Sequence, residues 1–188
     1  MCACENNLFI QFDTPEKKDY FLSILENVEN QLLFQSFIPI FESKKETYGT
    51  DSDVYIEYIT FDVSDSDVIN IIFYTNETPC IEFCKRVSAK YSVNIQLLYF
   101  CEENGYSGQI QIFHNQVVKN ELYNYWQGMY VLQYDLFWER LQDFFESMDA
   151  KNFMEFLQKN EMTIYQNDFS KLNYHFDEFK LLNQFKNL

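Results

Sequence analysis

Asp51, Asp53, Asp62, Asp65 and Asp67 crowd enough carboxylates into residues 51–67 to raise the question of a bound cation. A Ca²⁺ loop of twelve residues needs Gly at its sixth position and Glu at its twelfth, and counting from Asp65 meets neither. The spacing therefore reads as a solvated hairpin tip. Cys80 and Cys84 lie four apart, with Cys101 and His114 further along, but no CxxC pair or His pair supports a zinc set. Buried thiols packing as small apolar groups account for them. His114 and His175 are the two histidines, and neither stands in a nucleophile, zincin or phosphate-loop motif. Glu102-Glu103 reads as a solvated turn. No catalytic residue, metal or cofactor is expected.

What the carboxylates do supply is a field. Between Glu46 and Cys84 there are nine acids (Glu46, Asp51, Asp53, Glu57, Asp62, Asp65, Asp67, Glu77 and Glu82) and no Lys or Arg. That stretch holds more than half of a net charge of −15. A one-signed surface on ordered structure selects cationic partners. It disfavours direct binding to nucleic acid, where affinity comes largely from Lys and Arg on phosphates.

The elements that position these residues follow from periodicity. The chain has 188 residues, 20 Phe, 14 Tyr, 3 Pro and 4 Gly. That apolar content is too high for a disordered acidic chain, and the scarcity of breakers predicts long elements. Asn7–Phe12 reads as a strand. Asp13-Thr14-Pro15-Glu16 starts a helix running to about Leu33, followed by an apolar connector and a polar loop over 43–52. Residues 54–63 and 68–74 read as a hairpin, with Ser64-Asp65-Ser66-Asp67 as its turn. Thr78-Pro79 opens a second helix, and 93–101 and 107–114 are further strands. The order β-α-β-β-α-β plus one strand predicts an α+β fold: a ferredoxin-like split βαβ antiparallel sheet, of spatial order 4-1-3-2, with an extra strand beside the fourth. Residues 1–118 form this domain. Residues 119–188, with apolar positions at helical spacing and a last helix capped at Asn167-Asp168, form a helical appendage. No apolar run is long enough for a transmembrane helix, no signal peptide is evident, and the odd count of five Cys predicts free thiols in a reducing, cytoplasmic setting.

Four short patterns, in order, resemble the YubB-type ferredoxin-like family of plasmid and phage proteins. They are Cys4-Glu5-Asn6-Asn7-Leu8, Tyr48-Gly49-Thr50-Asp51-Ser52-Asp53, Phe73-Tyr74-Thr75-Asn76-Glu77-Thr78-Pro79 and Glu103-Asn104-Gly105-Tyr106-Ser107-Gly108. The resemblance covers residues 1–115. Where that family shows Trp-Gly-Thr-Lys-Trp-Asp, this chain has Tyr48, Asp51 and Ser52 in place of Trp, Lys and Trp. A third Trp is replaced by Glu77. The resemblance implies a mobile-element origin and a ferredoxin-like core, with no chemistry carried onto particular residues.

Taken together, these features predict a phage or plasmid protein that inhibits a host defence system, in the manner of an anti-CRISPR or anti-restriction protein. It would bind a host nucleic-acid-handling protein or effector complex and occupy its basic channel as a nucleic-acid mimic. The expected anionic face is Asp51, Asp53, Glu57, Asp62, Asp65 and Asp67, acting in the bacterial host cytoplasm without a membrane. Two rivals are a nucleic-acid-binding accessory protein, stacking bases on Tyr55, Tyr58, Tyr74 and Tyr99 of an open sheet face, and a small enzyme of unrecognised type.

Overall fold

The computed structural model describes residues 3–26, 32–55, 59–63, 67–134, 136–145, 150–160 and 162. The chain divides into two compact units, Met1–Gly128 and Met129–Leu188.

The first unit is an antiparallel sheet with helices on one face. Its elements are β1 (Ala3–Gln11), α1 (Pro15–Glu26), α2 (Leu33–Phe37), α3 (Lys44–Tyr48), β2 (Thr60–Val63), β3 (Val68–Asn76), α4 (Ile81–Tyr91), β4 (Asn94–Cys101), β5 (Tyr106–Phe113) and β6 (Gln116–Asn124). The six strands stand in the order β2-β3-β1-β4-β5-β6, and every pairing is antiparallel. Alternation sorts each strand into two faces. Leu8, Ile10, Ile69, Ile71, Phe73, Ile95, Leu97, Ile110 and Ile112 all point to the helices, where Phe21, Leu25, Phe34, Phe37, Phe83 and Val87 close a single core. Phe21 stacks on Phe37 with ring centroids 4.1 Å apart, and Phe34 meets Phe83 at 4.4 Å. Ring pairs of this kind contribute about 0.5–1.5 kcal/mol beyond their buried area.

Four expectations are corrected. The sheet has six strands, not five. The sixth, Gln116–Asn124, lies where the helical appendage was expected to begin, because a solvated edge strand does not show apolar alternation. Among the described residues of the long strand expected over 54–63, Thr60–Val63 lies in the sheet, while Val54 and Tyr55 pair with the segment at the start of α2: Leu33 N–H donates to Val54 O at 2.6 Å, and Leu32 bridges Tyr55. The connector after α1 is partly helical, as α2 and α3, and the S-x-x-E pattern Ser43–Glu46 is a capping box that announced the latter. Finally, the cysteines are not all free thiols: Cys4 and Cys101 are disulfide-bonded, with Cα atoms 4.2 Å apart. Glu5 pairs with Phe100 across β1 and β4, which sets Cys4 directly opposite Cys101 on the same face. Cys80 and Cys84 are free and buried, while Cys2 lies outside the described residues.

In the second unit, α5 (Tyr125–Val131) begins before the boundary and is followed by α6 (Phe137–Phe145) and α7 (Ala150–Lys159). Phe137, Leu141 and Leu157 are buried, and the Phe137 ring packs against Tyr130 at 5.5 Å. The helix expected after Asn167-Asp168 lies outside the described residues. Among the described residues, no helix is long and apolar enough to cross a membrane.

Candidate partner-binding surface

Segments around residues 4–6, 49–52, 75–79 and 104–106 meet at one end of the sheet. Gly49 ends α3 at φ +86°, a conformation glycine adopts without steric cost. A Cβ at Gly49 would stand 3.2–3.3 Å from Glu82 N, Ile81 N and Pro79 O, so the loop lies tight against the start of α4. Three hydrogen bonds lace this loop to the exit of β3. Thr78 Oγ1 donates to Gly49 O at 3.0 Å, Thr50 Oγ1 to Asn76 O at 3.3 Å, and Asn76 N–H to Ser52 Oγ at 3.0 Å. From the other side, the buried Asn6 amide donates to Thr75 Oγ1 and Cys4 O, both at 2.9 Å, and its Oδ1 accepts from Cys80 N at 3.3 Å. Burial pushes the Cys80 thiol well above its ordinary range, which makes it a poor nucleophile at neutral pH.

The β4–β5 turn completes the cluster. Asn104 Nδ2 and Tyr106 OH both donate to Glu77 O, at 2.8 and 3.0 Å. Glu77 has φ 61°, in the left-handed region that non-glycine residues rarely occupy. The two donors on its carbonyl hold it there and turn its side chain outward, exposed.

The structure places the expected acids in three different situations. Asp53 faces inward: Oδ1 accepts from Phe34 N–H and Val54 N–H, each at 2.8 Å, and Oδ2 accepts from Gln35 N–H at 3.0 Å. It caps α2, and burial raises its carboxyl above the ordinary value despite those three donors. Asp51 is exposed at the same end as Glu77, while Asp62 and Asp67 are exposed at the opposite end of the β2–β3 pair. The nine-residue β3 separates Asp67 from Glu77, which at 3.3 Å per residue is roughly 30 Å. Glu57 and Asp65 lie outside the described residues. Among the described residues, Asp51, Asp62, Asp67 and Glu77 form no ion pair, whereas Glu82 is paired with Lys85 at 2.7 Å. The anionic surface is thus two exposed acidic ends along the short edge of the sheet.

The aromatic candidates divide as well. Tyr99 is buried on the helix side of the sheet, so the expectation that it could stack a base on the open face is corrected. Tyr74 is on the opposite face, 56% exposed, and donates to Glu5 at 3.1 Å. Tyr55 is exposed, and Tyr58 lies outside the described residues. On that opposite face Phe9, Gln11, Val68, Gln96, Gln111 and Phe113 line an uncharged groove of about 520 Å³. With no cation in its lining, the groove offers no counter-charge to a phosphate backbone. His114 sits in the β5–β6 turn against Phe113, with ring centroids 4.2 Å apart; His175 lies outside the described residues. Among the described residues, no three His, Cys, Asp or Glu side chains are grouped to hold a metal ion.

Sequence reasoning noticed Glu77 as a replacement for an aromatic residue but did not foresee Asn6, Asn104 and Tyr106 as the groups that fix its loop. Their proximity depends on strand order, which brings residues 6, 77 and 104 to one end. No protein-family model, curated protein or solved structure matches this chain.

Proposed function

We propose that the chain is an acidic binding protein of mobile-element origin, with a ferredoxin-like core, that inhibits a host nucleic-acid-handling protein by occupying its basic channel. One observation carries the reading. Asp51, Asp62, Asp67 and Glu77 are exposed on turns and strand ends of a chain with net charge −15, and among the described residues no cation of the chain neutralises them. Complementary charge speeds the encounter with a cationic groove. The roughly 30 Å between the two acidic ends, set by strand length, suits an elongated basic channel better than a point contact. The convergence of the four family-like segments on the Glu77 loop supports the mobile-element reading, since the positions that differ from that family include two of the exposed acids, Asp51 and Glu77.

The test is a pull-down from bacterial lysate with the tagged full chain, with and without excess double-stranded DNA. Nucleic-acid-binding proteins that DNA displaces are the expected catch. A catch indifferent to DNA contradicts mimicry, and a gel shift of RNA or DNA by the purified chain favours the accessory-protein reading instead.

A further inference from the structure

Strand β6 ends the sheet with an outer edge that, among the described residues, no strand covers, and at nine residues it is more than twice as long as the opposite edge, β2. A long uncovered edge is a template for another strand. Proteins commonly blunt such an edge with charge or a bulge, and the register shift between Gln111 and Ile112 leaves Val118 as the extra residue of β6, without a partner on β5. Beyond that residue, Lys119-Asn120-Glu121-Leu122 is regular. Val118 is 60% exposed and Leu122 is 70% exposed.

The segment Lys119-Asn120-Glu121 is complementary to its own reverse. We infer that a second copy of the chain pairs antiparallel with β6 about a two-fold axis through Asn120, joining two six-stranded sheets into one continuous sheet. In that register Lys119 faces the partner's Glu121, and Glu121 faces the partner's Lys119. Asn120 meets the partner's Asn120. The Lys119–Glu121 pair occurs twice, as an isologous interface requires, and opposite charges directly across an antiparallel pair are stabilising. The charges are already organised for this. Lys119 Nζ stands 3.1 Å from Glu121 Oε2, which also accepts from Gln109 and Tyr123. Those donors, Tyr123 first and Lys119 next, hold the Glu121 carboxyl below its ordinary range, so it is ionised at neutral pH. The opposite edge cannot substitute, because β2 is four residues long and its one charged residue is Asp62.

The experiment is sedimentation equilibrium on the full chain and on Lys119→Glu and Glu121→Lys, with circular dichroism to confirm that each variant is folded. Salt is held at about 0.15 M, where a Debye length of ~8 Å screens the overall repulsion between acidic copies. The wild type is expected to form dimers and nothing larger. Each single variant puts like charges opposite one another and should weaken the dimer about tenfold or more. An equimolar mixture of the two variants should restore it, since every Glu then faces a Lys. A monomeric wild type, growth beyond dimers, single variants that dimerise like wild type, or a mixture that stays monomeric would each overturn the proposal. Misfolding could not produce the rescue.

Discussion

Asp53 caps helix α2 from 19 residues further along the chain: its Oδ1 accepts Phe34 N–H at 2.8 Å. The same oxygen takes Val54 N–H, and Oδ2 takes Gln35 N–H. Asp53→Ala leaves these donors without partners and should cost about 1–2 kcal/mol of stability, measured by urea denaturation. Asn caps as well as Asp and should recover most of it. The pH dependence has a definite sign. The folded carboxyl lies above its unfolded value of 3.8, chiefly through burial, so the folded state binds the proton more tightly. This contribution is present below the unfolded value and is lost as pH rises through the raised one. Asp53→Asn should remove that slope.

The Cys4–Cys101 bond closes a loop of 97 residues between neighbouring strands. Cross-links of this kind contribute about 2–4 kcal/mol, so Cys101→Ser should lower stability by that order under oxidising conditions. In reducing buffer, variant and wild type should converge. Peptide mapping without reductant should recover Cys4 joined to Cys101 and Cys80 and Cys84 as thiols.

Two tyrosines should titrate late. Burial, with the Asp53 charge adding to it, pushes Tyr48 up to about 12, and burial followed by Tyr106 pushes Tyr99 to about 12. Both lie above the unfolded value of 10.0, so their contribution to stability is full below pH 10 and is lost as pH rises through about 12. Alkaline absorbance titration should show a late step that shrinks in Tyr48→Phe. That variant also strands Ile38 O, which accepts from Tyr48 OH at 2.7 Å, and should lose about 1 kcal/mol.

Gly128 is small because β5 leaves no room. A Cβ there would stand 1.7 Å from Ser107 Oγ, which donates to the Asn124 and Tyr125 carbonyls. Gly128→Ala should cost about 1–3 kcal/mol in thermal or urea unfolding. Adding Ser107→Gly should restore part of it by vacating the space.

The sheet was legible where both of its faces differ in polarity. Leu8, Ile10, Ile69 and Ile71 stand in short runs rich in apolar and β-branched residues, and that signal sufficed for five strands and their neighbours in the sheet. It failed for β6, where Val117, Val118 and Leu122 are all exposed and no buried face enforces alternation. It overreached at 54–63, because β-branched and aromatic residues favour strand locally whatever partner is at hand. The acidic run was legible as charge but not as surface. Asp53 looked like its neighbours until α2, absent from the expected elements, supplied two N–H groups for it to accept. Cys4 and Cys101 likewise became neighbours only through the pairing of β1 with β4.

The most direct test of charge-driven binding is calorimetric titration of the partner recovered by pull-down with wild type and with Asp51→Lys/Asp62→Lys/Asp67→Lys/Glu77→Lys. These side chains are exposed, so their reversal should leave the fold intact, to be checked by circular dichroism. The account predicts at least about a hundredfold loss of affinity for the variant, as like charge meets a basic channel. It also predicts a steep fall for wild type as salt rises to about 0.5 M, where the Debye length shrinks to a few ångströms. Equal affinity for both proteins at low and high salt would contradict it.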